Sequence, residues 1–307
     1  MGITVIDDRR PVELRDLKYF LAVAEERSFT RGAQRAGIVQ SAASAAVHRL
    51  ERELGQRLLD RGTRGVELTD AGRLVLDRAR TMLGDARAVR DDLDALAGGL
   101  RGSVTLGTVL STGELDLPAI LTGFHHLHPG VSVRLRLSAG PENQHLHRLL
   151  DGEFDLSLVP QPDQPPAGVT ITSVAQMRLV LVCRREDALA RARDVRYRDI
   201  APRDYIDFPS PWGNRALVDG LFQSDGITRH VAFEVVDVES AIALIRGGLG
   251  IGFLPDHVTD SQPDLVAVDL CQPPPRRRLG LAAPADRPLS AATTALRRAI
   301  IQAAATR

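Results

Sequence analysis

Apolar side chains recur along this chain at two different periods, and the change from one to the other divides it. From Leu14 the spacing is helical: Leu14, Leu17, Phe20, Leu21 and Ala24 fall three or four residues apart on one face. Ser28 is placed to cap a second helix from Phe29 to about Arg35, and Gly37 ends it, since glycine turns left-handed without a Cβ penalty. A third helix is predicted from about Ser41 to Leu54, closed by Gly55. Arg61 to Gly65 forms a charged turn between Leu58-Leu59 and Val66–Leu68, the pattern of a short two-stranded wing. Thr69 then opens the longest helix, with Asp70 in the first turn, where the helix dipole favours negative charge. Within it Val75, Ala79, Met82, Ala86, Val89, Leu93 and Leu96 alternate spacings of four and three, a heptad seam of the kind that pairs with another helix.

The run stops at Gly98-Gly99, and strand-like segments begin to alternate with helical ones. Strands are predicted at Val104–Thr108, Val131–Leu137 and Phe154–Val159, with helices from about Glu114 to Leu127 and Asn143 to Leu150 between them. The cluster Pro160, Pro162, Pro165 and Pro166 reads as a linker. A second set follows: strands at Val169–Val174, Leu179–Val182, Tyr205–Phe208, Val231–Val235 and Ile251–Leu254, with helices near Arg215–Ser224 and Ser240–Arg246. Leu265–Leu270, a last strand Leu279–Ala283 and a helix from about Ala291 to Ala304 close the chain. The fold class expected is therefore α/β overall, with an all-α winged helix-turn-helix at the N-terminus. The boundaries are 12–69 for that first domain, 70–98 for the linker helix and 102–307 for a two-lobed α/β domain. Its first lobe takes about 102–161 and 269–307, its second about 162–268.

Composition changes this picture little. The formal net charge over 307 residues is zero, so no global basic field announces nucleic acid, and a DNA-binding claim must rest on a local element. Cys183 and Cys271 stand in no metal or redox spacing and read as structural thiols. The first residues lack an apolar signal core, and no stretch reaches the roughly 18 apolar residues of a membrane span. The expectation is a cytoplasmic protein with no membrane partner.

A helix-turn-helix needs a short second helix, a tight turn, and a third helix that fits a major groove about 12 Å wide. Gln40, Ser41, Ser44, Ala45 and His48 fall on the outer face of the third helix, while Ala43, Val47 and Leu50 point inward. Ser28, Thr30, Arg31, Arg49 and the wing's Arg64 are placed for phosphate contacts, which position a protein without reading sequence. A generic three-helix bundle with a solvated charged face fits the spacing as well.

The stretch Glu13 to Gly72 closely resembles the winged helix-turn-helix of LysR-type transcriptional regulators. The resemblance lies in Leu17–Phe20, in Ser28–Ala33, in the run from Gln40 to Gly55 and in the wing exit at Arg61–Gly72. Gly102–Gly107, His128–Val131, Leu149–Val159 and Gly247–Pro255 extend it more loosely. It implies sequence-specific binding to promoter DNA, a coiled-coil linker giving dimers that pair into tetramers, and an effector domain of the periplasmic-binding-protein type. RNA polymerase is a further candidate partner. Departures from the pattern touch the reading head: Ser41 stands for Pro, and Ala43, Ala45 and Ala46 for Leu, Arg and Gln. Two bidentate readers are missing, each worth about 1–3 kcal/mol of discrimination. Gly32 stands where the pattern has Ala and is expected to weaken the second helix by up to about 1 kcal/mol.

In a two-lobed α/β domain, ligands sit where strand ends face helix N-termini. Ser111 and Thr112, Glu142 and Asn143, and Ser210 and Asn214 occupy such places, with Phe208 and Trp212 as candidate walls for an unidentified small-molecule effector. Each of these polar residues also fits an ordinary helix cap. His125, His126, His128, His145 and His147 read as solvated histidines rather than a metal site, and Arg276-Arg277-Arg278 as a solvated loop. No nucleophile elbow, phosphate loop, dinucleotide fingerprint or zinc-protease motif is present, so neither catalysis nor a cofactor is expected. The competing reading is a solute-receptor-like binding protein whose N-terminal domain serves only oligomerisation.

Overall fold

The computed structural model describes residues 12–62, 65–96, 99–137, 143–162, 164–210 and 212–306. The chain divides into two compact units, one up to Leu93 together with Asp151–Glu153, the other on the remainder from Asp94.

The N-terminal unit packs α1 (Leu14–Glu26), α2 (Phe29–Ala36) and α3 (Gln40–Leu54) around one core. An antiparallel hairpin of β1 (Leu59–Gly62) and β2 (Gly65–Leu68) follows, then α4 (Asp70–Leu96). Leu17, Phe20, Val23, Phe29, Val47 and Leu50 fill the core, with Leu58 and Val66 reaching in from the hairpin. Gly37 and Gly55 end α2 and α3 at φ of 70° and 66°, a region closed to most side chains. The hairpin is anchored at both ends. The Glu51 carboxylate of α3 accepts from the Leu58 and Leu59 amides at 2.8 and 3.2 Å, and the Val66 amide donates to the Arg27 carbonyl at 3.3 Å.

The C-terminal unit is built on a seven-stranded mixed sheet. Its first half holds β3 (Gly102–Thr108), α5 (Leu117–Leu127), β4 (Val131–Leu137), α6 (Asn143–Leu150) and β5 (Leu156–Pro160), with β3 lying parallel between β4 and β5. A single strand, β6 (Val169–Arg184), then runs for 16 residues. It is followed by α7 (Tyr197–Ile200), β7 (Asp204–Asp207), α8 (Gly213–Ser224), β8 (His230–Glu234), α9 (Val238–Arg246), β9 (Gly252–Pro255), α10 (His257–Ser261) and β10 (Leu265–Ala267). The last strand, β11 (Arg276–Pro284), lies antiparallel between β5 and β6, and α11 (Ala291–Ala305) covers the first-half core through Ala292, Leu296 and Ile300. Two expectations change here. The segments Val169–Val174 and Leu179–Val182 are one continuous strand, because backbone pairing with β11 carries on past Val174 to Arg178, across one bulge. Arg276-Arg277-Arg278 is not a loop but the start of β11, hydrogen-bonded in register with Met177 and its neighbours.

The reading of Gly32 is overturned. Its helix α2 crosses α1 so closely that a Cβ at position 32 would lie 2.6 Å from the Val23 Cα and 2.7 Å from the Val23 nitrogen. The neighbouring atoms are backbone and cannot rotate away, so the close approach outweighs helix propensity. Gly32→Ala is therefore expected to destabilise the protein by about 1–3 kcal/mol, where propensity alone predicts a gain of up to about 1 kcal/mol. Chemical denaturation of the two proteins side by side distinguishes the outcomes by sign.

Candidate functional site

In the N-terminal unit α3 presents one polar face. Ser41, Ala45 and His48 are exposed there, Ser44 is half-buried beside them, and Gln40 stands exposed at the first turn. Spacings of three and four place them one above another on the helix surface. Thr30 of α2 donates its hydroxyl proton to the Gln40 side-chain oxygen at 3.2 Å, tying the two helices across the turn. Ser28 caps α2 by accepting from the Arg31 amide at 3.3 Å. The Arg31 guanidinium is exposed, donates to the Glu26 carbonyl at 2.6 Å and lies 3.7 Å from the Glu26 carboxylate. His48 sits 3.3 Å from the Glu51 carboxylate, the same group that holds the hairpin. Arg64 lies outside the described residues.

Arg49 departs from the phosphate-contact expectation. Its guanidinium makes a bidentate pair with Asp16 at 2.9 and 2.7 Å, and that carboxylate is 1% exposed. The hydrogen bond to Asp16 raises the Arg49 pKa above its ordinary value. Arg49 therefore locks α3 onto α1 instead of being free for DNA. Ala46, grouped with the exposed alanines by resemblance, is fully buried, so the open alanine of the face is Ala45.

The heptad seam of α4 splits in the same way. Ala79 is fully buried in the unit's own core and Val75 packs against it, together with Leu76 and Leu83. Met82, Val89 and Leu93 are 50%, 60% and 60% exposed, Leu74 joins them, and Ala86 is half-buried; the Leu96 side chain lies outside the described residues. At about 100° per residue these are two neighbouring stripes on one helix. Periodicity registers both as one seam because it cannot tell an internal partner from an external one.

In the C-terminal unit a cavity of about 730 Å³, its open mouth included, opens beside β6 and β11. Ser111, Phe208, Trp212 and Asn214 line it, as the sequence suggested. Thr112 and Ser210 do not. The Thr112 hydroxyl is spent on the Leu115 carbonyl at 2.7 Å, and Ser210 faces solvent outside the lining. Glu142 lies outside the described residues, and Asn143 opens α6 without a described side chain.

Residues that the sequence reading set aside complete the cavity. His145, expected to be solvated, is 3% exposed, with Nδ1 3.2 Å from the Ser157 hydroxyl. It sits on the inward face of α6, whose stripe Leu146 and Leu149 already marked as core-facing. Arg277 lines the cavity from β11, and burial pulls its guanidinium pKa down to about 10. The alternation Arg277, Leu279, Leu281, Ala283 was the signal, masked by the charge run. The Cys183 thiol is pushed up to about 11 by burial, which keeps it protonated and unreactive at neutral pH. Among the described residues no cluster of His, Cys, Asp or Glu is arranged to hold a metal ion, and no helix is long and apolar enough to cross a membrane.

Comparison with known proteins places both units. The family described as LysR substrate binding domain matches residues 97–305, and the bacterial regulatory helix-turn-helix protein family of lysR type matches 14–73. The HTH-type transcriptional regulator BudR of Raoultella terrigena is 30% identical, over 81% of this chain and 86% of its own. The RuBisCO operon transcriptional regulator of Allochromatium vinosum is 29% identical, over 96% and 97%. Among solved structures, full-length CbnR complexed with its target DNA is 26% identical at a TM-score of 0.53, covering 95% of this chain and 99% of its own. A full-length OxyR variant from Pseudomonas aeruginosa, 21% identical, shares the fold at a TM-score of 0.71 over 95% of each chain. The solute-receptor alternative is not favoured, because the helix-turn-helix match accounts for the N-terminal unit as a DNA-binding element.

The contrasting roles of two arginines can be measured. Arg49→Gln strands the buried Asp16 carboxylate, at a cost of about 1–3 kcal/mol for the unsatisfied group, and lowers the melting temperature. Arg31→Gln is expected to leave the melting temperature nearly unchanged while reducing the slope of log affinity against log salt by about one contact.

Proposed function

Because the chain belongs to the LysR family of transcriptional regulators, with a helix-turn-helix for DNA and an effector-binding domain, we propose that a small molecule in the C-terminal cavity changes how a dimer holds or bends its operator. The observation that carries this reading is the pairing, in one chain, of an exposed polar face on α3 with a formed cavity beside β6 and β11. Gln40, Ser41, Ser44, Ala45 and His48 would meet base edges, and Ser28, Thr30 and Arg31 the phosphates. The working division is 12–69 for DNA binding, 70–98 for the linker helix and 102–307 for the regulatory domain. The protein works by binding rather than catalysis, in the cytoplasm, with RNA polymerase as a further candidate partner. Effector and DNA are linked by one coupling free energy, so each must shift the affinity of the other equally wherever affinity is what changes.

The exposed stripe Leu74, Met82, Val89 and Leu93 is the surface offered for self-association, since an isolated apolar stripe on a long helix gains most by pairing with its copy. Replacing Met82 and Val89 together by Glu should leave the melting transition in place and convert the protein to a monomer in sedimentation. An unchanged oligomer would assign the contact elsewhere. Full-length protein should protect DNA beside its own gene in a footprint, with affinity falling steeply and linearly in log salt. Protection absent at low salt would overturn the regulator reading for that site.

A further inference from the structure

Helix α3 begins on a side chain that does little for its own fold. Val39 is the N-cap of α3, a position where serine, threonine, aspartate or asparagine would hold a free first-turn amide through a side-chain oxygen. Valine has no such oxygen, and its side chain caps nothing. Nor is it packed away: Val39 is 68% exposed, while the neighbouring Ile38 packs against the core. Its carbonyl accepts from the Ala42 and Ala43 amides at 3.0 and 3.3 Å, a role that any residue at this place would fill. The valine side chain thus forgoes a cap and gains no burial in return.

Its place on the helix gives such a side chain a use. In a helix-turn-helix the N-terminal residues of the recognition helix are set against base edges. Gln40, next to Val39, is exposed, with its side-chain oxygen held by the Thr30 hydroxyl at 3.2 Å. From Ser41 to Val47 every residue is serine, alanine or valine, so no side chain in that run extends a hydrogen-bonding fork. The head of the helix is therefore short in hydrogen-bonding reach and carries one large exposed apolar group. In the major groove that group has a distinctive counterpart, the 5-methyl group of thymine, which no other base carries. Contact between the two removes apolar surface of both from water.

On the reading of α3 as the helix that meets base edges, we propose that Val39 is a specificity-determining residue. Its γ-methyl groups pack on the 5-methyl group of a thymine in each operator half-site. Recognition at that position rests on a methyl group rather than on a hydrogen bond. The protein therefore distinguishes bases of identical hydrogen-bonding pattern: thymine from uracil, and 5-methylcytosine from cytosine.

The full-length protein is first used to select its site from a randomised duplex library, and affinity for that site is then measured at fixed salt. Uracil replaces each thymine of one half-site in turn. At one of them it should weaken binding by about fourfold, equal to about 0.8 kcal/mol, the worth of one buried methyl group. Opposite guanine at that same position, 5-methylcytosine should bind about fourfold tighter than cytosine. Val39→Ser supplies the missing cap, so the melting temperature should hold or rise. The same variant should lose about tenfold in affinity over two half-sites and become indifferent to uracil. A residue needed only for the fold would lower stability and affinity together. Val39→Ala, which shortens the side chain without adding a hydroxyl, should lose the uracil effect as well. A uracil effect that persists unchanged in both variants overturns the proposal, as does a selected site at which no thymine responds to uracil. In either case Gln40→Ala tests the underlying reading separately, because loss of selective binding in that variant keeps α3 as the reading helix. A library from which no sequence is enriched defeats both.

Discussion

The regulatory half of this molecule depends on one strand. The 16 residues of β6 contribute Val169, Val174, Met177, Leu179, Leu181 and Val182 to four separate hydrophobic clusters. The strand pairs with β11 along its first part and with β9 and β10 along its second. Consecutive Leu181 and Val182 enter different clusters, so the second half of the strand is buried on both faces. The single irregularity in its pairing with β11 falls between Leu279 and Gly280, next to the cavity-lining Leu279 and Arg277. β-bulges of this kind bend a strand locally and re-aim its side chains. The cavity therefore lies against continuous sheet, and the position of Arg277 is set by backbone hydrogen bonds before any ligand arrives.

The DNA-binding half meets a different constraint, that of bringing short helices close together around one core. Gly32 against Val23, and Ala43 and Ala46 buried in α3, let three short helices approach closely. Phe20, Phe29, Leu50 and Leu58 fill the space between them, and the buried Asp16 with Arg49 supplies a directional lock between α1 and α3. An ion pair with one buried partner adds little net stability over an apolar pair of the same shape, but it tolerates no loss of either member. Its effect is to fix the rotation of α3 about its axis, and hence which face carries Ser41, Ala45 and His48 outward.

The same physics explains what the sequence disclosed and what it withheld. Helix ends at Gly37 and Gly55, the Ser28 cap and the wing were legible, because each rests on a local backbone rule that one or two residues express. The general α/β alternation was legible too. Partner identity was not: Ala79 in the core and Met82 outside it satisfy one heptad equally well. Charge misled in both directions. Arg49 looked free because Asp16 lies on another helix, and Arg277 looked solvated because its neighbours are arginines. His145 was lost among five histidines, although the apolar Leu146 and Leu149 beside it marked α6 as packed. Of the effector candidates, Ser111, Phe208, Trp212 and Asn214 are kept by the cavity, while Thr112 was consumed by its own turn.

What remains is how a wall of the cavity is held. Phe208 follows β7, and its amide donates to the Asp207 side chain at 2.7 Å, while its carbonyl accepts from Arg215 of α8 at 3.2 Å. Arg215 also grips Asp219 at 2.7 Å, and Arg229, 3% exposed by its side chain, bridges Asp219 and Asp207 from the start of β8. Burial pushes the Asp207 carboxyl pKa upward, and Arg229 beside it pulls the other way. A contact at 2.5 Å between two groups so enclosed favours the ionised pair, because a neutral acid would leave the Arg229 charge uncompensated in the same low-dielectric pocket. Arg229 further lies over the rings of Tyr205 and Phe222, at 5.1 and 5.6 Å, so the charge is packed on every side. A network this enclosed deforms in steps rather than gradually, since moving one member strands another. A ligand that displaces Phe208 must therefore move β7, α8 and β8 together or not at all, which is the property a binding signal needs if it is to leave the cavity.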